Sequence, residues 1–210
     1  IVVDRAGKFP VEAKALIAER GFEALKTRLA RPTIKEDLAA IAAVRRAVGD
    51  DVHIMSDFNQ GYALGEALLR LHGLDDQSLY WFEEPIAYND VAGNAQLTRE
   101  LKTPVQIGEN IYGPRSCLQF VNAQAADLYM PDLTRIGGVS GWMPAAAIAG
   151  AAGKPLSSQL YPEVSAHLPA RHPDPLAGGG AGRDPVSPRG QDRQGHGRAW
   201  ALLQAARLHR

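Results

Sequence analysis

VHIMSDFNQGYALGEALLRLHGLDDQSLYWFEEP, residues 52–85, holds one full repeat of the pattern that decides the fold. VHIMSD at 52–57 reads as a buried strand, Ala63–Leu71 as a helix and LYWFEE at 79–84 as the next strand. Two apolar strand-like runs joined through a helix make the crossover that parallel strands need. The same alternation continues on both sides. Upstream lie a helix at Ala13–Arg20, a strand at Ala24–Leu29 and an amphipathic helix at Lys35–Val48. Downstream lie a helix near Val91–Leu101, the strand PVQIGE at 104–109, a helix near Arg115–Ala123 and the strand DLYMP at 127–131. An Ala-rich helix at Gly141–Ala152 and a strand KPLSS at 154–158 close the series. Repeated βα units predict an α/β protein with a parallel sheet and helical crossovers.

Polar residues recur where each strand should end: Arg28, Asp57, Glu83, Glu109, Asp132 and Gln159, separated by 29, 26, 26, 23 and 27 residues. One strand, one helix and two short loops take about that length, which puts each of these side chains at the carboxyl end of a successive strand. In a (β/α)8 barrel that rim carries the active site, whereas a doubly wound open sheet uses mainly its switch point. The regularity therefore favours a barrel. Asp57, Glu83 and Glu109 would be neighbours on one arc, and three close carboxylates do not all stay ionised without a compensating cation. Oxygen-only ligands favour Mg2+, with Mn2+ as the next choice and zinc disfavoured in the absence of His or Cys. Separate solvated or salt-bridged carboxylates are the plainer alternative.

At 210 residues and 22.6 kDa the chain fits one domain or a small barrel. Its 23 basic and 23 acidic side chains cancel, so no nucleic-acid partner is expected. Cys117 is the single cysteine, which rules out a disulfide framework and fits a reducing cytoplasm. No apolar run approaches the ~18 residues of a membrane span, so no membrane association is expected. Neutrality hides a split at Leu168. Residues 1–168 carry 16 basic and 20 acidic side chains, whereas residues 169–210 carry 7 Arg, 3 Asp, no Lys and no Glu. That tail also holds 7 Gly and 5 Pro, and it lacks Ile, Phe, Tyr, Met, Thr and Asn. Such a composition reads as low complexity.

Further stretches carry a resemblance. ALKTR at 24–28, AVGDD at 47–51, SDFNQ at 56–60, WFEEP at 81–85, PVQIGEN at 104–110, MPDLTRIGGVSGW at 130–142 and SSQLYPEVSAHL at 157–168 are similar to the barrel domain of the enolase superfamily, most closely to its mandelate racemase group. The resemblance covers about residues 10–168 and implies an incomplete TIM-type barrel at 1–168 with an atypical tail at 169–210. It implies that Asp57, Glu83 and Glu109 are the metal ligands, that Asn59 lies near the substrate, and that Lys26 is the first lysine of a Lys-x-Lys motif that steadies the substrate carboxylate. The implied chemistry is removal of the proton α to a carboxylate of a hydroxy acid or sugar acid, with the metal and nearby cations stabilising the enediolate.

Racemases of this group place one base on each face of the substrate: the second lysine of Lys-x-Lys, and a His held by an Asp. The Asp matches Asp132, the His falls at Gln159 and the second lysine falls at Arg28. Glutamine has no titratable proton, and arginine stays protonated, so neither suits a general base. Asp132 is left to orient an amide. Lys26 would serve as the base only with its pKa lowered by Arg28; two strand-end cations pairing with the acidic triad is the plainer reading. The acid expected on an eighth strand falls at Gly179, within LAGGGAG, and the capping domain that would precede IVVD at 1–4 is expected to be missing. A shifted reading frame from about Pro169 is the expected origin of the tail, which leaves strand edges open to homo-oligomerisation. Cys117 is expected to be a core thiol, His167 structural, and IGGVSG at 136–141 not a phosphate loop. Two functions remain open: a Mg2+-dependent racemase or acid-sugar dehydratase, the latter favoured because it needs only one base and one acid, and a truncated, inactive homologue that retains at most metal binding.

Overall fold

The computed structural model describes residues 2–3, 13–15, 17–18, 23–165 and 167–168. The expectations for the tail at 169–210, including Gly179 and the missing eighth strand, lie outside the described residues. The chain divides into two compact units, residues 1–87 with 101–103 and residues 88–100 with 104–210.

The first unit holds β1 (Val2–Val3), β2 (Ala24–Arg28), α1 (Ile34–Val48), β3 (His53–Asp57), α2 (Leu64–Leu74) and β4 (Phe82–Glu83). Neighbouring strands pair in parallel, β1 with β2, β2 with β3 and β3 with β4. Helix α1 starts where a Thr-x-x-Glu pair closes a capping box: Thr33 Oγ1 accepts from Glu36 N–H at 3.3 Å, and Glu36 Oε2 accepts from Thr33 N–H at 2.9 Å. Two orphan donors of the first turn are thereby satisfied. Gly49 ends the helix with φ at 82°, a backbone that costs glycine little, and donates to the Arg45 carbonyl at 2.9 Å. Helix α2 buries Ala67, Leu71 and Leu74, one face at helical spacing. Leu25, Ile54, Phe58 and Phe82 are buried from the strand side, Phe58 and Phe82 edge to face at 5.7 Å. Each large apolar side chain so buried stabilises by about 1.5–3 kcal/mol.

The second unit holds α3 (Val91–Glu100), β5 (Val105–Ile107), α4 (Gly113–Asn122), β6 (Leu128–Tyr129), α5 (Gly138–Ala151) and a short α6 (Pro162–Ser165). Strands β5 and β6 are parallel, with Ile107 opposite Tyr129. Helix α4 buries Cys117, Phe120 and Val121, and α5 buries Trp142, Ala145, Ala146 and Ala149. Among the described residues no helix is long and apolar enough to cross a membrane.

The strands are shorter than the sequence predicts. LYWFEE is a regular strand only at Phe82–Glu83, although Tyr80 N–H still reaches Ile54 O at 2.8 Å and Trp81 O accepts from Ser56 N–H at 3.1 Å; after it Glu84 (φ 39°) turns the backbone. PVQIGE stops at Ile107, where Gly108 takes φ 145°, and DLYMP is reduced to Leu128–Tyr129. The strand expected at 154–158 is not one. It contributes a bridge of Leu156 to Tyr129, and Gln159 bridges Asp132. Tyr129 N–H donates to Pro155 O at 3.0 Å and Ser157 N–H to Tyr129 O at 2.9 Å, but Pro155 has no hydrogen to extend the ladder. Helix α5 begins at Gly138, three residues earlier than expected, because Gly137 (φ 103°) and Gly138 (φ 70°) make a left-handed turn whose Gly138 N–H reaches Leu133 O at 2.7 Å.

Candidate functional site: a carboxylate cluster in each unit

In the first unit the strand register sets Arg28 beside Asp57 and Asp57 beside Glu83. The three polar residues form one row at the carboxyl ends of three adjacent parallel strands. Lys26 sits two residues earlier on β2, on the same face by the alternation of a strand. Its Nζ donates to Glu83 Oε1 at 2.5 Å and lies 3.5 Å from Asp57 Oδ2. All three are buried: Lys26 is 1% exposed, Asp57 3% and Glu83 0%. Arg28 keeps 44% of its side chain exposed, with Nη2 at 3.7 Å from Asp57 Oδ2. The row therefore presents a buried ammonium between two carboxylates and a more open guanidinium beside them.

Glu83 lies in the least favourable setting. Burial pushes its carboxyl up to about 7, and Asp57 and Glu84 push the same way, while the charge and hydrogen bond of Lys26 pull it down without winning. Trp81 Nε1 donates to Glu83 Oε2 at 3.3 Å. The loop after β3 is shaped around Asp57, whose Oδ1 accepts from the Asn59 backbone N–H at 2.9 Å. Asn59 and Gln60 both hold positive φ, 45° and 59°, and Gln60 Nε2 donates to the buried Glu84 at 2.7 Å. The Asn59 side chain is exposed.

In the second unit Glu109, Asp132 and Gln159 follow the ends of β5, β6 and the bridged segment. Each oxygen of the Glu109 carboxylate has its own donor: Arg135 Nη1 at 3.2 Å from Oε1 and Gln159 Nε2 at 3.0 Å from Oε2. Asp132 Oδ1 accepts from Thr134 N–H, Thr134 Oγ1 and Arg135 N–H at 2.8, 2.6 and 2.9 Å, which closes the turn after β6. Asp132 and Gln159 meet through a backbone bridge. Sequence reasoning missed Arg135. The signal was there, since it is the one cation between Arg115 and Lys154 and stands three residues after Asp132. Desolvation alone would lower its guanidinium, but the hydrogen bond and charge of Glu109 outweigh it and raise it.

Among the described residues no group of three or more His, Cys, Asp and Glu forms a set that could hold a metal ion. The carboxylates instead carry cations from the chain, Lys26 on Asp57 and Glu83 and Arg135 on Glu109. Their chemistry nonetheless fits a hard divalent ion: the donors are oxygens alone, and Lys26 does not supply enough positive charge to offset the burial of Glu83, a shortfall that a cation would fill. His167 is exposed, and Cys117 is buried with its thiol pushed up to about 11 by burial. Cys117 is thus the core thiol read from the sequence.

A parallel α/β fold whose strand ends carry Arg28, Asp57 and Glu83 in one row, with Lys26 two residues behind Arg28, describes the class. The profile of the family Enolase C-terminal domain-like matches residues 8–177, and the chain belongs to that family, within the mandelate racemase and muconate lactonizing enzyme branch of the enolase superfamily. The L-talarate/galactarate dehydratase of Salmonella typhimurium is 33% identical over 155 residues, 74% of this chain and 39% of that protein. Among solved structures, an enolase from the alphaproteobacterium BAL199 with bound Mg is 50% identical with a TM-score of 0.75, covering 79% of this chain and 46% of that one. An enolase from Bradyrhizobium in complex with magnesium and mandelic acid is 35% identical with a TM-score of 0.79, covering 82% and 48%. The chain thus spans less than half the length of these relatives and matches part of their barrel.

Proposed function

We propose that the chain carries the barrel half of a Mg2+-dependent enzyme that removes the proton α to the carboxylate of an acid sugar or hydroxy acid. The observation that carries this reading is the buried row of Lys26, Asp57 and Glu83 with Arg28 at its open end. Asp57, Glu83 and Glu109 would hold the ion, and Mn2+ would serve in its place. Bound there, the ion supplies Lewis-acid polarisation of the substrate carboxylate. Arg28, open to solvent, binds the anionic substrate, and Asn59 at the turned loop after β3 offers it a hydrogen bond. Lys26 Nζ provides positive charge beside the carboxylates, and Asp132 holds the turn that leads to Arg135. Dehydration is favoured over racemisation because it does not need a base on each face of the substrate. Gln159 and Arg28 fill the two base positions and neither takes a proton near neutral pH, which leaves Lys26 Nζ, in its neutral form, to accept the α-proton and pass it to the hydroxyl that leaves as water. We also read the protein as a cytoplasmic homo-oligomer. The lone buried Cys117 agrees with a reducing compartment.

A second reading has its own observation. With both base positions substituted and Lys26 tied to Glu83 at 2.5 Å, the chain also fits an inactive homologue that binds metal and turns nothing over. Incubation of the full chain with Mg2+ and a library of acid sugars separates the two. Formation of a 2-keto-3-deoxy acid that EDTA abolishes supports the dehydratase. Mg2+ binding without any product supports the inactive homologue, and absence of Mg2+ binding overturns both.

A further inference from the structure

We propose that Arg135 is a positioning residue that clamps the Glu109–Asn110 loop and fixes the Glu109 carboxylate for a divalent cation. The second half of that statement rests on the function proposed above. A single nitrogen, Nη1, donates to the Glu109 backbone carbonyl at 2.9 Å, to Asn110 Oδ1 at 2.8 Å and to Glu109 Oε1 at 3.2 Å. The two shorter contacts are to neutral oxygens. An incidental surface ion pair would hold the carboxylate alone and slacken once another cation took it. Here the hold on the loop survives, because the carbonyl and the amide oxygen stay with Arg135 whatever the carboxylate does.

The guanidinium is itself aimed by the chain. Asp132 Oδ1 takes the backbone N–H of both Thr134 and Arg135, Ile136 N–H donates to Asp132 O at 3.0 Å, and Gly137 and Gly138 then turn left-handed into α5. Arg135 leaves a turn fixed at both ends. Gln159 Nε2 holds the other carboxylate oxygen, so Glu109 is oriented by two donors from two different segments. Groups that orient a metal ligand in this way change metal affinity about 10–100-fold when removed. Arginine's charge would repel a second cation, so a role in positioning and a role in mere charge balance predict opposite results.

The test uses the full chain with Arg135→Met and Arg135→Lys, read two ways. Hydrogen exchange of the Ile111 amide, which donates to Gly108 O at 3.1 Å inside the clamped loop, reports the clamp without any metal. Exchange should quicken about tenfold or more in Arg135→Met and less in Arg135→Lys, which keeps a charged nitrogen with three donors on a shorter stem. Mn2+ binding by calorimetry should weaken about 10–100-fold in Arg135→Met, with part of the loss recovered in Arg135→Lys. Unchanged Ile111 exchange in either folded variant overturns the clamp. Unchanged or tighter Mn2+ binding in Arg135→Met overturns the role toward the cation. Quickened exchange in Arg135→Met, together with a wild-type chain that binds no Mn2+, supports the clamp and refutes the metal-dependent function. Should the Met variant fail to fold, the Lys variant alone carries both measurements.

Discussion

Lys26 Nζ donates to Glu83 Oε1 at 2.5 Å although Lys26 is paired on the strand with Met55, one step below the row that holds Asp57 and Glu83. A long flexible side chain two residues back reaches up and places one positive charge against two buried carboxylates. The arrangement makes the pair a structural necessity, since desolvated charges are tolerated only with a partner.

Replacing Lys26 with Met should therefore destabilise the first unit strongly. Glu83 and Asp57 would be left facing each other without the ammonium, and breaking a buried pair in this way costs about 3–5 kcal/mol. Urea denaturation at pH 8 measures it, and a loss under about 1 kcal/mol would contradict the description of the cluster.

Glu83 gives stability a pH dependence of definite sign. Its carboxyl titrates near 7 in the folded chain against 4.5 for an ordinary glutamate. Between those values the folded state binds more protons than the unfolded state, so this group's contribution to stability falls as pH rises from 4.5 toward 7. The melting temperature of metal-free protein should decline across that window, and Glu83→Gln should flatten the decline. Mg2+ binding should weaken as pH drops below about 7, because the ion must displace that proton.

Neither enantiomer of mandelate should be converted into the other by this chain and Mg2+, because racemisation needs a base on each face of the substrate. Gln159 has no proton to trade, and Arg28 holds its own too tightly. Proton NMR is the sensitive readout. Interconversion of the enantiomers would overturn this expectation, whereas α-hydrogen exchange of one enantiomer with D2O that Lys26→Met abolishes would identify Lys26 as the single base.

Cys117 should be inert to thiol reagents in the folded protein. It is fully buried, its Sγ lies 3.9 Å from Ala145 O, and its thiol titrates near 11. Thiolate is then a minute fraction at neutral pH. Ellman's reagent should react at the rate of unfolding and promptly in 8 M urea.

The sequence by itself determined the order and type of most elements, because hydrophobic patterning is a local property: 52–57 is a short buried run that packs as β3, and 64–74 repeats at helical spacing as α2. It also set Arg28, Asp57 and Glu83 at the ends of successive strands, since the length of a βα unit fixes the interval. Tertiary structure decided what those side chains touch. That Lys26 answers Glu83 across 57 residues depends on strand register, and that Arg135 and Gln159 share the two oxygens of Glu109 depends on how three loops fold over one another. Neither relation leaves a periodic trace. The shortened strands show the same limit. Whether 154–158 becomes a strand depends on the ladder its neighbour offers, and with a proline inside it forms only a bridge.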